Sequence, residues 1–101
     1  MAELVDINGY KFWAFYRLAD NMKKEAGVYV IFDGKGNEFI DVGQTEDFSD
    51  RPRNHDRKPC WVQNCPNGIY FAARLEPSEK MRTLIEKTIR MNHQEMPCGE
   101  R

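Results

Sequence analysis

At 101 residues the chain reads as one small domain with a single modest core and no length left for a separate DNA-binding or regulatory unit. Apolar residues make up 41% and charged residues 31%, an ordinary balance for a soluble globular protein, and no run approaches the roughly 20 apolar residues of a membrane span. A net charge of −1 and a pI near 6.1 exclude the overall basic surplus that nucleic-acid binders usually carry.

Charge is nonetheless unevenly distributed. Arg51, Arg53, Arg57 and Lys58 lie together with His55 against a single acid, Asp56, whereas Glu3, Asp6, Asp20, Glu46, Asp47 and Glu76 lie elsewhere. Such a run is either a solvated loop or a phosphate-facing patch. The opening residues contain acids and no apolar segment of the secretory kind. Three cysteines, an odd number, point to reduced structural thiols and a cytoplasmic compartment. Cys60 and Cys65 lack a clear second pair of zinc ligands.

Taken in chain order, Leu4, Val5 and Ile7, then Asn8-Gly9, then Tyr10 to Tyr16 predict a β-hairpin, because Asn-Gly suits a tight turn with two positive φ angles. Residues 17–26 are polar and fit either a loop or one short helical turn. Gly27 to Phe32 is a near-continuous apolar, β-branched and aromatic run that predicts a central strand. The turn residues Asp33 to Asn37 lead to a second strand over Glu38 to Val42, with Phe39 and Asp41 on one face and Ile40 and Val42 on the other. A helix is expected over Ser49 to Arg57, capped by Ser49 or Asp50, with Pro52 in its first turn. Residues 58–67 read as a loop. Gly68 to Leu75 reads as a third core strand, and Pro77-Ser78 open a last helix ending near His93. Its expected buried stripe is Met81, Leu84, Ile85, Thr88 and Ile89. The fold class is α+β: a small antiparallel sheet with three central strands flanked by helices, preceded by an N-terminal hairpin. Residues 1–25 form the hairpin and connector, and residues 26–99 the core.

The informative constellation is Gly27-Val28-Tyr29, Asp41-Val42-Gly43, Arg51, His55 and Glu86 within Leu84-Ile85-Glu86. Arg51 stands eight residues after Gly43, and His55 four after Arg51. This pattern resembles the GIY-YIG nuclease family, which pairs a Gly-Ile/Val-Tyr strand with a Tyr-Ile/Val-Gly strand, followed by an Arg, a His or Tyr, and a helical Glu. Met96-Pro97-Cys98-Gly99 resembles the family's ending, with Gly99 where an asparagine often stands. The likeness spans Ala26 to Gly99, about three-quarters of the chain. Gly68-Ile69-Tyr70 is a literal GIY, but no second motif follows it at hairpin distance.

The resemblance implies a DNA endonuclease domain that hydrolyses phosphodiester bonds with one Mg²⁺ or Mn²⁺. Glu86, a hard oxygen ligand, would hold the ion; its bland alternative is a surface ion pair with Arg82 or Arg90. Arg51 would bind the scissile phosphate through its planar guanidinium. Tyr29 would orient or deprotonate the attacking water, and His55 would position water or touch phosphate. Arg53, Arg57 and Lys58 would grip the DNA backbone without reading sequence. DNA is the expected partner, with no membrane and no small-molecule cofactor.

Asp41 departs from the family's second tyrosine. It is a second metal ligand or general base, or the mark of a domain that has lost catalysis, or a side chain turned to solvent. The rival class is therefore a catalytically silent nucleic-acid-binding or protein-interaction module on the same scaffold.

Overall fold

A computed structural model describes residues 2–99. The expected hairpin forms from β1 (Glu3–Ile7) and β2 (Tyr10–Arg17), joined through Asn8 and Gly9 at φ 52° and 89°. Asp6 Oδ1 accepts the Gly9 N–H at 3.0 Å, which satisfies the turn. Residues 18–26 make turns and bends without a helix.

The apolar run becomes β3 (Gly27–Asp33), and all seven of its residues are buried. It is flanked by β4 (Glu38–Thr45) and β5 (Ile69–Leu75), so the Ile69-Tyr70 segment is a core strand as expected. The sheet order is β1-β2-β5-β3-β4, antiparallel throughout. One face carries Phe12, Val28, Val30, Phe32 and Val42 and packs against Ile85 and Ile89 of α2 (Glu79–Asn92). The opposite face carries Tyr29, Ile31, Ile40 and Phe71 and packs against Phe48 and against Trp61 of α1 (Lys58–Asn64). Among the described residues, no helix is long and apolar enough to cross a membrane.

Three local expectations need correction. The helix expected over Ser49 to Arg57 is a succession of turns, in which the Asp47 carbonyl accepts from Asp50 and Arg51 and the Asp47 carboxylate accepts the Ser49 N–H. The helix lies instead in the segment read as a loop, with Pro59 in its first turn. Proline is tolerated there because that N–H needs no intrahelical partner, and the sequence offers Pro52 and Pro59 as equal candidates.

In α2 the inward residues are Arg82, Ile85 and Ile89, whereas Met81 and Leu84 face solvent and Thr88 is half-buried. Arg82 displaces the apolar side chains because its guanidinium satisfies the carbonyls of Glu76 and Pro77 and the side chain of Gln44. Ser78 caps the helix as expected, its hydroxyl accepting the Met81 N–H at 3.2 Å.

The third correction concerns β4. Ile31 pairs with Asp41 and Phe32 with Phe39, so Ile40 is the extra residue of a β-bulge. The bulge breaks strict alternation. Ile40 joins the core face that holds Tyr29 and Trp61, Phe39 packs on the α2 face, and Asp41 is drawn inward rather than toward solvent.

Candidate active site

Tyr29, on the middle of β3, is 0% exposed, and its hydroxyl has no hydrogen-bond partner among the described residues. It fits because Gly43, directly opposite on β4, has no side chain: a Cβ there would stand 2.5 Å from the phenol oxygen. The rings of His55 and Trp61 cover it edge-on at centroid distances of 6.1 and 6.3 Å. Burial raises the phenol pKa well above its usual value, with the charges of Arg57, Asp41, Arg51 and Glu86 acting on it as well. Residues scattered over β3, β4, the 46–57 turns and α2 thus act on one atom.

Asp41 is 0% exposed and surrounded by donors. Arg57 Nε reaches Oδ2 at 2.7 Å, Arg90 Nη2 reaches Oδ1 at 2.8 Å, and Trp61 Nε1 donates to Oδ2 at 2.8 Å. Burial alone would raise this carboxyl, but the hydrogen bonds from Arg57, Arg90 and Trp61 outweigh it and hold the pKa below the ordinary value. The solvent-facing reading of Asp41 is therefore overturned. Each oxygen is already engaged, and the residue works as the anchor of two arginines.

His55 is also buried. Burial, then the charges of Arg57 and Arg51, push its pKa down, so the ring is neutral at neutral pH. Its Nδ1 accepts the Arg57 backbone N–H at 3.0 Å, which places the proton on Nε2. The Asp56 carboxylate, 3.0 Å from the same nitrogen, becomes a hydrogen-bond partner only when the ring is protonated.

Glu86 is half-buried on the α2 face toward β4. Burial raises its carboxyl pKa, opposed by Arg90 and by a hydrogen bond from Gln44 Nε2 at 3.4 Å. Among the described residues it has no ion pair: Arg82 is committed to Gln44 and to backbone carbonyls, and Arg90 to Asp41, Val42 and Cys98. The surface-pair alternative is not formed as a salt bridge, although the charges of Arg90 and Arg57 act on Glu86. A desolvated carboxylate without a salt bridge would supply at most one ligand to a hydrated divalent ion, which binds through one or two carboxylates and otherwise keeps water. No cluster of three acidic, histidine or cysteine side chains forms among the described residues, so a fuller protein cage is not built.

Arg51 is half-exposed and, among the described residues, its guanidinium makes only a long contact with Asp56, 3.9 Å. Its guanidinium is free to face an anion. Arg53 instead secures the fold, donating to the carbonyls of Leu18 and Asp20 at 3.3 and 3.1 Å. Arg57, expected to grip DNA, spends Nε and Nη2 on Asp41. Lys58 is exposed at the start of α1.

Sequence reasoning missed Arg90, Gln44 and the hydrogen-bonding role of Trp61. Arg90 lies one helical turn beyond Glu86, and a buried aspartate demands partners; together these were the available signal. The cysteines also differ from expectation. Cys60 and Cys98 form a disulfide with Cα atoms 6.0 Å apart, and only Cys65 is a free, buried thiol. The pairing reflects the tail folding back over α1, which spacing alone cannot reveal. In comparisons with family models, curated proteins and solved structures, the chain finds no match.

Proposed function

We propose that this chain is a GIY-YIG-type, divalent-metal-dependent endonuclease domain that hydrolyses DNA phosphodiester bonds. The observation that carries this reading is convergence on one buried phenol, unpartnered among the described residues: the His55 ring lies edge-on to Tyr29 at 6.1 Å, and the charges of Arg51, in the 46–57 turns, and of Glu86, on α2, act on its hydroxyl. Titratable groups perturbed by burial and by specific charge partners are candidates for functional sites.

Each residue has a part in this reading, which requires the rings of His55 and Trp61 to move off the buried Tyr29 hydroxyl before water reaches it. Arg51 takes the scissile phosphate through its free guanidinium. Tyr29 stays a neutral phenol at physiological pH, so it orients the attacking water by hydrogen bonding rather than acting as a phenolate. His55 offers Nε2–H as a donor, since Nδ1 is occupied. Arg57, aimed by Asp41, adds positive potential beside the phosphate, and Lys58 contacts the backbone further out. Glu86 would hold Mg²⁺ or Mn²⁺, which when bound neutralises charge developing on the phosphate.

A second reading is a catalytically silent nucleic-acid-binding or protein-interaction module. The specific observation favouring it is that Asp41, in the second-tyrosine position, is saturated by three side-chain donors and the Val42 N–H, while Tyr29 is sealed beneath two rings. Supercoiled plasmid incubated with Mg²⁺ or Mn²⁺ separates the two. Nicking by the wild type that disappears in Arg51→Ala supports the enzyme. Salt-sensitive plasmid binding without nicking supports the silent binder, and neither activity leaves a protein-interaction role.

A further inference from the structure

Besides the Val42 N–H, Asp41 is held by three side-chain donors, and each of these is tied to one disulfide. Trp61 follows Cys60 in the chain. The Arg57 carbonyl accepts the Cys60 N–H at 2.9 Å. Arg90 Nη1 donates to the Cys98 carbonyl at 3.2 Å, and the Cys98 N–H donates to the carbonyl of Ile40, the neighbour of Asp41, at 3.1 Å. The tail then closes over the carboxylate: a Cβ on Gly99 would stand 2.5 Å from Asp41 Oδ1 and 2.4 Å from Arg90 Nη1, so only glycine can lie there. The bond joins positions 38 residues apart, α1 to the tail, across the roof of the site.

We propose that Cys60–Cys98 is a redox latch controlling access to Asp41 and to the rings that cover Tyr29. Joined, it holds residues 93–99 down. Reduced, the tail lifts and opens the roof over Asp41, Arg90 and Trp61. The reductant is a dithiol. One of its thiolates attacks Sγ of Cys60, which is half-buried, whereas Cys98 is fully buried. The S–S bond breaks, its electron pair stays on Cys98 Sγ, and that sulfur takes a proton. The second reductant thiolate then attacks the mixed disulfide and releases Cys60 as a thiol, and the reductant departs oxidised to its own disulfide. Cys65 stands aside, buried and with its Sγ 3.6 Å from the Phe32 carbonyl. As regulation of phosphodiester hydrolysis the latch rests on the function proposed above; as a gate over Asp41 it does not.

The test uses the full chain carrying Trp13→Phe, which leaves Trp61 as the sole tryptophan. The oxidised protein is expected to show one titratable thiol after denaturation. Acrylamide quenching of Trp61 should rise severalfold on dithiothreitol reduction while the far-UV circular dichroism is retained. Cys98→Ser should be quenched strongly from the outset and ignore the reductant. Unchanged quenching in reduced, folded protein would overturn the proposal, as would three thiols before reduction. Loss of the circular dichroism on reduction would also overturn it, since the bond would then hold the whole fold rather than a lid. Plasmid nicking on the same samples separates the two readings. More nicking in the reduced form supports the regulatory role, and equal nicking in both forms overturns it. Absence of nicking with the quenching change intact counts against the endonuclease and supports the gate.

Discussion

Asp41 is fully buried, and its surroundings suit a carboxylate. Arg57, Arg90 and Trp61 supply the hydrogen bonds that make the burial tolerable. Removing the carboxylate leaves two guanidinium groups facing an apolar hole, so Asp41→Ala should cost about 3–5 kcal/mol in denaturant unfolding. Asp41→Tyr should also destabilise, because it both unpairs the arginines and presses a ring against Gly99. Since the folded pKa of Asp41 lies below 3.8, its contribution is complete above that value and is lost as pH falls through the folded pKa. His55 behaves alike over a higher window. Its folded pKa lies below 6.5, so the neutral ring's contribution is complete above 6.5 and is lost as pH falls through the folded value. An NMR titration of the imidazole should give a midpoint below 6.5, and Asp56→Asn should lower it further by removing a favourable charge. A midpoint at or above 6.5 would contradict the buried, neutral assignment.

At the scale of elements, the close approach of β3 and β4 makes the site. Gly43→Ala would push a methyl into the Tyr29 ring and should cost about 1–3 kcal/mol, read as a lower denaturation midpoint. An unchanged midpoint would mean that Tyr29 can move aside. The strands were legible in sequence because their signals are local. Asn8-Gly9 demands positive φ, and the run from Gly27 to Phe32 can be stable only when buried on both faces. The first helix was not legible, because Pro52 and Pro59 each suit a first turn and tertiary packing chose Pro59 by drawing Trp61 into the core. The bulge at Ile40 was equally hidden: strict alternation is the default reading, and one extra residue turns Asp41 inward.

Across the whole molecule, the site joins what the sequence separates. The spacing from Gly43 through Arg51 to His55 could be read directly from the chain; the His55 ring lies against Tyr29, and the Arg51 charge acts on its phenol. Arg90 and the Cys60–Cys98 bond could not be read, since each depends on α2 and the tail returning across β4. Glu86 sits at that junction and carries a desolvated charge without an ion pair among the described residues. Its folded pKa lies above 4.5, so its contribution to stability is favourable below 4.5 and is lost as pH rises through the folded value. At neutral pH the carboxylate is therefore a destabilising feature, which the proposed endonuclease reading requires of a group that serves chemistry rather than folding. The most direct measurement compares wild type with Glu86→Gln. In metal-free buffer at neutral pH the variant should melt at the higher temperature, with the difference disappearing below pH 4.5, and with Mg²⁺ or Mn²⁺ it should fail to nick plasmid that the wild type nicks. Nicking retained by the glutamine variant, or absent from both proteins, would contradict the account.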